Sequence, residues 1–271
     1  MITYRHLLTN PIKKFVLDGG FTSVFRTMGF IGDSLSSGEH ESYSKESGTG
    51  YHDYYEYSWG QYIGRKCGLK AINFSKGGLT AKDFFEFIQS NDERANNIFA
   101  PENKCQAYVI ALGVNDLNNL DDKYQGFGSI DDVDFNNEDN NKDTFIGCYV
   151  KIIQKIRKIE PKSRIFVVTT PKEKKKKKKI AKLYLEFAKF LKILPQYFDF
   201  LYVIDLMKYA PIYSKRFKAK YYCGNHLSAS GYKFTADMIS TYIDYLIKKN
   251  PKDFTQVGFI GKKVYNELEK W

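Results

Sequence analysis

The chain has 271 residues, 43% of them apolar and 27% charged, with a formal net charge of +11. That length and composition allow a sizeable core in one α/β unit, and no apolar run approaches the ~20 residues that a membrane span needs. The charge invites a nucleic-acid reading, but residues 172–179 (KEKKKKKK) carry +6 of it and leave a modest +5 elsewhere. A basic face spread over the fold is therefore excluded, and a nucleic-acid partner is not expected.

The first residues (MITYRHLLTNPIKKFVLDGG) contain no apolar segment ending in small residues, so they do not read as a secretion signal. The four cysteines, Cys67, Cys105, Cys148 and Cys223, are scattered and form no CxxC. Free thiols and a cytoplasmic location are expected. One domain spanning 1–271 is expected, with an N-terminal arm (1–23), a core (24–249) and a C-terminal tail (250–271).

The first strand is expected over 24–31. It ends in Gly32-Asp33-Ser34-Leu35, followed by a polar run that no strand would continue. A serine where a buried strand spills into a glycine-flanked turn can expose its hydroxyl on a rigid backbone, which suits a nucleophile. The same residues also serve as ordinary helix caps. Residues 36–57, rich in tyrosine, read as a polar loop leading into a helix over 58–67. Its aromatics could line a sugar or acyl site, but packing of the loop is the favoured reading. His40 and His52 belong to no motif and read as surface residues.

A second strand near 70–73 leads to Ser75-Lys76-Gly77-Gly78, and Thr80 to Asp83 has the spacing of a helix start. Phe84, Phe85 and Ile88 are expected to be its buried face. Two glycines beside a helix start allow close backbone approach to negative charge. The third strand, 107–112, is a continuous apolar run, as in a sheet covered on both faces. It ends in Gly113-Val114-Asn115-Asp116.

Residues 117–143 form an acidic, Asn-rich insertion. Asp132, Asp134 and Asn136 alternate like a calcium loop, but Asn137 and Asp143 stand where Gly and Glu belong, so a solvated loop is preferred over a metal site. A helix follows with Phe145, Tyr149, Ile152, Ile156 and Ile159 at helical spacing, barred by Pro161. The fourth strand is 165–168. The lysine run opposes a helix macrodipole, so a mobile loop over 172–178 and a helix from about Ile180 are expected. The fifth strand, 201–204, ends at Asp205. Beyond a basic loop come Cys223-Gly224-Asn225-His226-Leu227 and a last long helix with Tyr232, Ala236, Ile239, Ile243 and Leu246 on one stripe.

Strands alternating with helices predict a doubly covered parallel sheet with flavodoxin-like order 2-1-3-4-5, in which ligands bind beyond the carboxyl ends of the strands. Ser34, Gly78, Asn115 and His226 all follow such ends. A serine hydroxyl needs a base, and His titrates nearest neutral pH. The tetrahedral intermediate needs fixed donors, which the N–H groups of Ser34 and Gly78 and the Asn115 amide would supply.

The four blocks, in this order, resemble the SGNH or GDSL-type hydrolases: Gly32-Asp33-Ser34-Leu35, then Asn73 to Gly78, then Gly113-Val114-Asn115-Asp116, then His226 with Gly231-Tyr232. The final segment is similar to that of an uncharacterised bacterial branch. The resemblance implies a three-layer α/β/α fold with a five-stranded parallel sheet. It implies no cofactor or metal, and an esterase acting on a small-molecule or carbohydrate ester through an acyl-serine. It departs from the family at one point. Where an Asp is usual three residues before the histidine, this chain has Cys223. Three readings stay open: a main-chain carbonyl orients His226; a carboxylate from elsewhere (Asp205, Glu39 or Glu41) does so; or the site is feeble. Cys223 and His226 alone are too few for a metal site, and Cys223 is not expected to be the nucleophile. An alternative function is a non-catalytic binding protein that uses 172–179 to hold an anionic partner.

Overall fold

Five apolar runs form one parallel sheet: β1 (Thr27–Gly32), β2 (Lys70–Ser75), β3 (Ala107–Ala111), β4 (Arg164–Val168) and β5 (Leu201–Ile204). Their order is β2-β1-β3-β4-β5, with Thr27 beside Lys70, Met28 beside Ala107, Val109 beside Phe166 and Val167 beside Val203. This computed structural model describes residues 10–174 and 177–261. The first nine residues of the arm, Lys175 and Lys176 of the lysine run, and the tail beyond 261 lie outside them.

Side chains alternate across a strand, and the core divides accordingly. Ile31, Phe74, Tyr108, Ile110 and Val167 face α2 (Phe145–Ile159) and α3 (Lys178–Ile193). Met28, Phe30, Val109 and Phe166 face α1 (Trp59–Cys67) and α4 (Ala229–Lys249). The sheet is thus covered on both faces, which explains why its strands read as unbroken apolar runs. Caps set the helix starts: Ser58, Thr144 and Ser228 each accept a backbone N–H at the head of α1, α2 and α4. Among the described residues, no helix is long and apolar enough to cross a membrane.

The structure departs from the sequence reading at the hairpin, at the helix after Gly78 and at the start of α3, and it details the insertion. Residues 36–57 are not a simple loop. They contain an antiparallel hairpin pairing Glu39–Ser44 with Gly48–Asp53. The short helix after Gly78 begins at Phe84 and buries Phe84, Phe87 and Ile88, leaving Phe85 half-buried. In the insertion, Asp132 pairs with Lys142, and Asp134 caps the backbone of Asn136 and Asn137. Finally, α3 begins at Lys178 rather than Ile180, without a side-chain cap, and Lys179 meets Asp121 at 2.6 Å. A nearby carboxylate offsets the charge that a lysine-rich helix start would otherwise carry.

Packing of α3 bears on what lies at the end of β3. Phe187 is buried 4.8 Å from the Phe145 ring and 5.1 Å from the Tyr149 ring. It also lies over Gly113, where φ is +129° and an added Cβ would stand 2.7 Å from the ring. Only glycine suits that backbone and that approach. Phe187→Ala is expected to cost about 3–5 kcal/mol, as for large core truncations, measured as a lowered urea midpoint.

Candidate active site

The turn after β1 is shaped by close packing. Asp33 caps the single helical turn Ser34–Ser37, accepting the Leu35 N–H at 3.0 Å. A Cβ on Gly32 would meet the Ser36 hydroxyl at 2.1 Å, so glycine is required there. Ser34 is half-buried. The Tyr232 hydroxyl shares its one proton between two carbonyls, that of Glu39 at 2.7 Å and, more weakly, that of Ser34 at 3.1 Å. Helix α4 thereby clasps the Ser34 turn to the hairpin.

The glycine loop after β2 extends the β1–β2 pairing by one bond, Lys76 N–H to Gly32 C=O at 3.3 Å. Gly78 turns with φ +75°. Two residues from the end of β3 hold the segment that follows. The Asn115 amide donates to the Leu79 carbonyl at 3.2 Å, and Asp116 accepts the Ala81 N–H at 2.7 Å and the Tyr124 hydroxyl at 2.5 Å. Burial pushes Asp116 up to about 6 and Asp33 up to about 7. Each leaves one carboxyl oxygen without a hydrogen-bond partner, which is where a neutral acid avoids the cost of a buried charge.

His226 sits on a two-residue strand paired antiparallel with Tyr222–Cys223, the chain reversing at Gly224 with φ +67°. That strand packs against the Ser34–Ser37 turn and against the first strand of the hairpin. The carboxylates come from the hairpin. Glu41 Oε1 lies 2.6 Å from Nδ1 of His226, and Glu39 Oε1 lies 3.0 Å from Nε2. Glu41 also accepts the Asn225 N–H at 2.8 Å. Residues two apart on a strand share a face, so Glu39 and Glu41 point together at the imidazole while His40 points away, toward Tyr54 and Tyr232. Burial alone would push the imidazole down, but the hydrogen bonds and charges of Glu39 and Glu41 hold it above its ordinary value.

Of the residues singled out in the sequence, Ser34, Gly78, Asn115 and His226 follow strand ends at one edge of the sheet, and Glu39 and Glu41 join them. Asp205 does not. Its carboxylate is buried against Thr169, caps Lys208 and pairs with Lys192 at 2.6 Å. Nor is a main-chain carbonyl the Nδ1 partner, since Glu41 takes that nitrogen. Cys223 is exposed, its thiol 3.9 Å from the Glu41 carbonyl. Among the described residues no group of three or more metal-ligating side chains gathers. Sequence reasoning overlooked the supporting hydroxyls of Tyr232 and Tyr124. It also overlooked the Glu-His-Glu alternation at 39–41, whose period of two marks a strand.

Residues 28–239 match the GDSL-like lipase/acylhydrolase family. A search of curated proteins finds no match. Among solved structures, a family two carbohydrate esterase from Clostridium thermocellum in complex with cellohexaose is similar at TM-score 0.54 and 15% identity, covering 84% of this chain and 65% of that one. A family 2 carbohydrate esterase from Corynascus thermopiles, with a carbohydrate binding domain, gives 0.55 and 15%, covering 82% and 66%. This chain thus spans about two-thirds of the length of those two. A possible lipase from Chitinophaga pinensis gives 0.52 and 18%, covering 82% of this chain and 98% of that one. At such identities the structural likeness speaks for the fold, and the family match extends from β1 into α4: the chain belongs to the GDSL-like lipase/acylhydrolase family of hydrolases.

Proposed function

We propose that this protein is a serine esterase working through an acyl-serine intermediate, with Ser34 as nucleophile, His226 as base and Glu41 as the carboxylate that orients it. The observation that carries the reading is the 2.6 Å contact from Glu41 Oε1 to His226 Nδ1. A carboxylate there holds a proton on Nδ1, orients the ring and stabilises the imidazolium that forms, so that Nε2, which Glu39 holds in this structure, is the nitrogen that would serve the serine. It supplies from the hairpin what position 223 lacks.

In this reaction the Ser34 hydroxyl oxygen attacks the ester carbonyl carbon while its proton passes to Nε2. The oxyanion is held by the N–H groups of Ser34 and Gly78 and the Asn115 amide. His226 then protonates the leaving alcohol oxygen as the carbon–oxygen bond breaks, leaving acyl-Ser34. Water repeats the sequence: its proton passes to Nε2, the acid departs, and the proton returns to Ser34. Each fixed oxyanion donor is worth about 2.7–4 kcal/mol in the best-measured case.

Small-molecule and carbohydrate esters are the substrates this reading favours. Tyr43, Tyr51, Tyr54 and Tyr57 are each half or more exposed, so they do more than pack the hairpin. The Tyr51 ring lies edge-on, 5.8 Å from that of His226. Rings presented beside the base are suited to stacking against a sugar. The four free thiols fit a cytoplasmic setting.

A fluorophosphonate probe is expected to label the wild type and not Ser34→Ala; absent labelling, or labelling unchanged in Ser34→Ala, would overturn the reading. Glu41→Ala is expected to lower kcat by about 10⁴-fold for p-nitrophenyl acetate, the size of loss seen when a triad acid is corrupted. The pH profile follows from the imidazole. His226 must be neutral to act, and both carboxylates favour its protonated form, so the acid limb of kcat/KM should lie above the ordinary histidine value of about 6.5. Glu41→Gln removes a charge and should move that limb to lower pH, read from kcat/KM between pH 5 and 9.

A further inference from the structure

Nε2 of His226 is the atom to which Ser34 must give its proton, yet Glu39 holds it at 3.0 Å. One nitrogen carries one proton or one lone pair, so it cannot serve both partners along the same line. The other oxygen of Glu39 points to the glycine loop. A Cβ built on Gly77 would stand 1.9 Å from Glu39 Oε2, so that oxygen lies directly over the residue preceding Gly78. The Glu39 carboxylate therefore spans from the base to the glycine loop, the two groups that flank an ester carbonyl in the reaction above. Its side chain is 13% exposed, and its main-chain carbonyl is pinned by Tyr232, which leaves the side-chain torsions as the moving part.

Resting on the esterase reading, we propose that Glu39 is a positioning residue whose carboxylate fills the acyl site as a tethered likeness of the acid product. The site is closed while Glu39 holds Nε2 and opens when an ester displaces that carboxylate and Nε2 turns to Ser34. The ligand class that the space between His226 and the glycine loop takes is thus a short carboxylate: Glu39 itself at rest, the released acid after turnover, and free acetate or formate once the tether is cut. Glycine at 77 is part of the arrangement, since any side chain there would occupy the space of Glu39.

Glu39→Ala and Glu39→Gln test this, with p-nitrophenyl acetate as substrate and Ser34→Ala as blank. The groups facing the imidazole are Glu39, Glu41 and Tyr51 of the hairpin, Cys223 of its own turn, Tyr232 of α4 with Asp53 behind it, and Asp33 behind the nucleophile turn. Burial holds Asp33 up to about 7, close to the imidazole range, so the readout is the difference between variants. Removing Glu39 withdraws a charge that favours the imidazolium and frees Nε2. Glu39→Ala should be about tenfold faster in kcat/KM at pH 6.5 for each unit by which its acid limb moves down, and Glu39→Gln should lie between it and the wild type. The second readout is one that a merely structural role would not move. Acetate at tens of millimolar, about the range expected of a weak fragment, should inhibit Glu39→Ala competitively and leave the wild type unaffected.

Thermal midpoints of the two variants separate a folding defect from a catalytic one, and Glu39→Gln keeps the side-chain shape if Glu39→Ala fails to fold. Ser34-dependent turnover that is equal or slower in both variants, with no acetate inhibition, would overturn this proposal and leave the esterase reading standing. Hydrolysis absent from wild type and variants alike, or surviving Ser34→Ala, would take down both.

Discussion

The imidazole of His226 is held by two carboxylates, and the chemistry available to this molecule depends on that one contact set. A histidine on a two-residue strand has little packing of its own to fix its ring. Glu41 fixes it by a short bond to Nδ1 and also accepts the neighbouring Asn225 N–H, so ring and turn are oriented together. A carboxylate so placed favours the charged form of the base. The contact between carboxylate and imidazole runs through space between a hairpin and a turn that lie 185 residues apart in the chain.

Everything else at the site follows from strand ends sharing one edge. Parallel strands deliver their carboxyl termini side by side, and β1, at the centre of β2-β1-β3, places the Ser34 turn between the glycine loop and Asn115. The loop is then stapled by polar bonds: Asn115 to Leu79, and Asp116 to Ala81 and Tyr124. Burying a carboxyl in this way is costly unless it stays protonated, which explains why Asp33 and Asp116 lie well above the ordinary carboxylate range. These two acids hold backbone in place and are too enclosed to meet a substrate.

The sheet was legible because a doubly covered strand leaves a strong trace: runs such as 107–112 and 201–204 are apolar without alternation. The carboxyl-edge placement of the residues after each strand followed from that, whereas the strand order came from the flavodoxin-like pattern and the four blocks from the family resemblance. The hairpin at 39–53 was not legible, because its faces are polar and aromatic and its strands carry no apolar alternation. Glu39 and Glu41 could be named as candidate partners of His226, but their joint orientation needs the strand period of two, which the loop assignment hid. Asp205 was an equally reasonable candidate by position, following β5 directly. Its turn faces Lys192 and Thr169, and no pattern in one sequence distinguishes that local use from a catalytic one. The start of α3 was misplaced for a different reason. Self-repulsion among lysines argued for a later start, and Asp121, on a short helix 58 residues back in the chain, pairs with Lys179 in its first turn.

The clasp made by the Tyr232 hydroxyl has a consequence for the order in which the molecule becomes competent. Tyr232 and Ser34 are 198 residues apart in the chain, and the imidazole of His226 arrives from the same late segment. A nascent polypeptide that ends at β5 holds the Ser34 turn and the hairpin without the hydroxyl that ties them together. Glu39 and Glu41 would then face no imidazole, so the site becomes whole only with the last fifth of the chain.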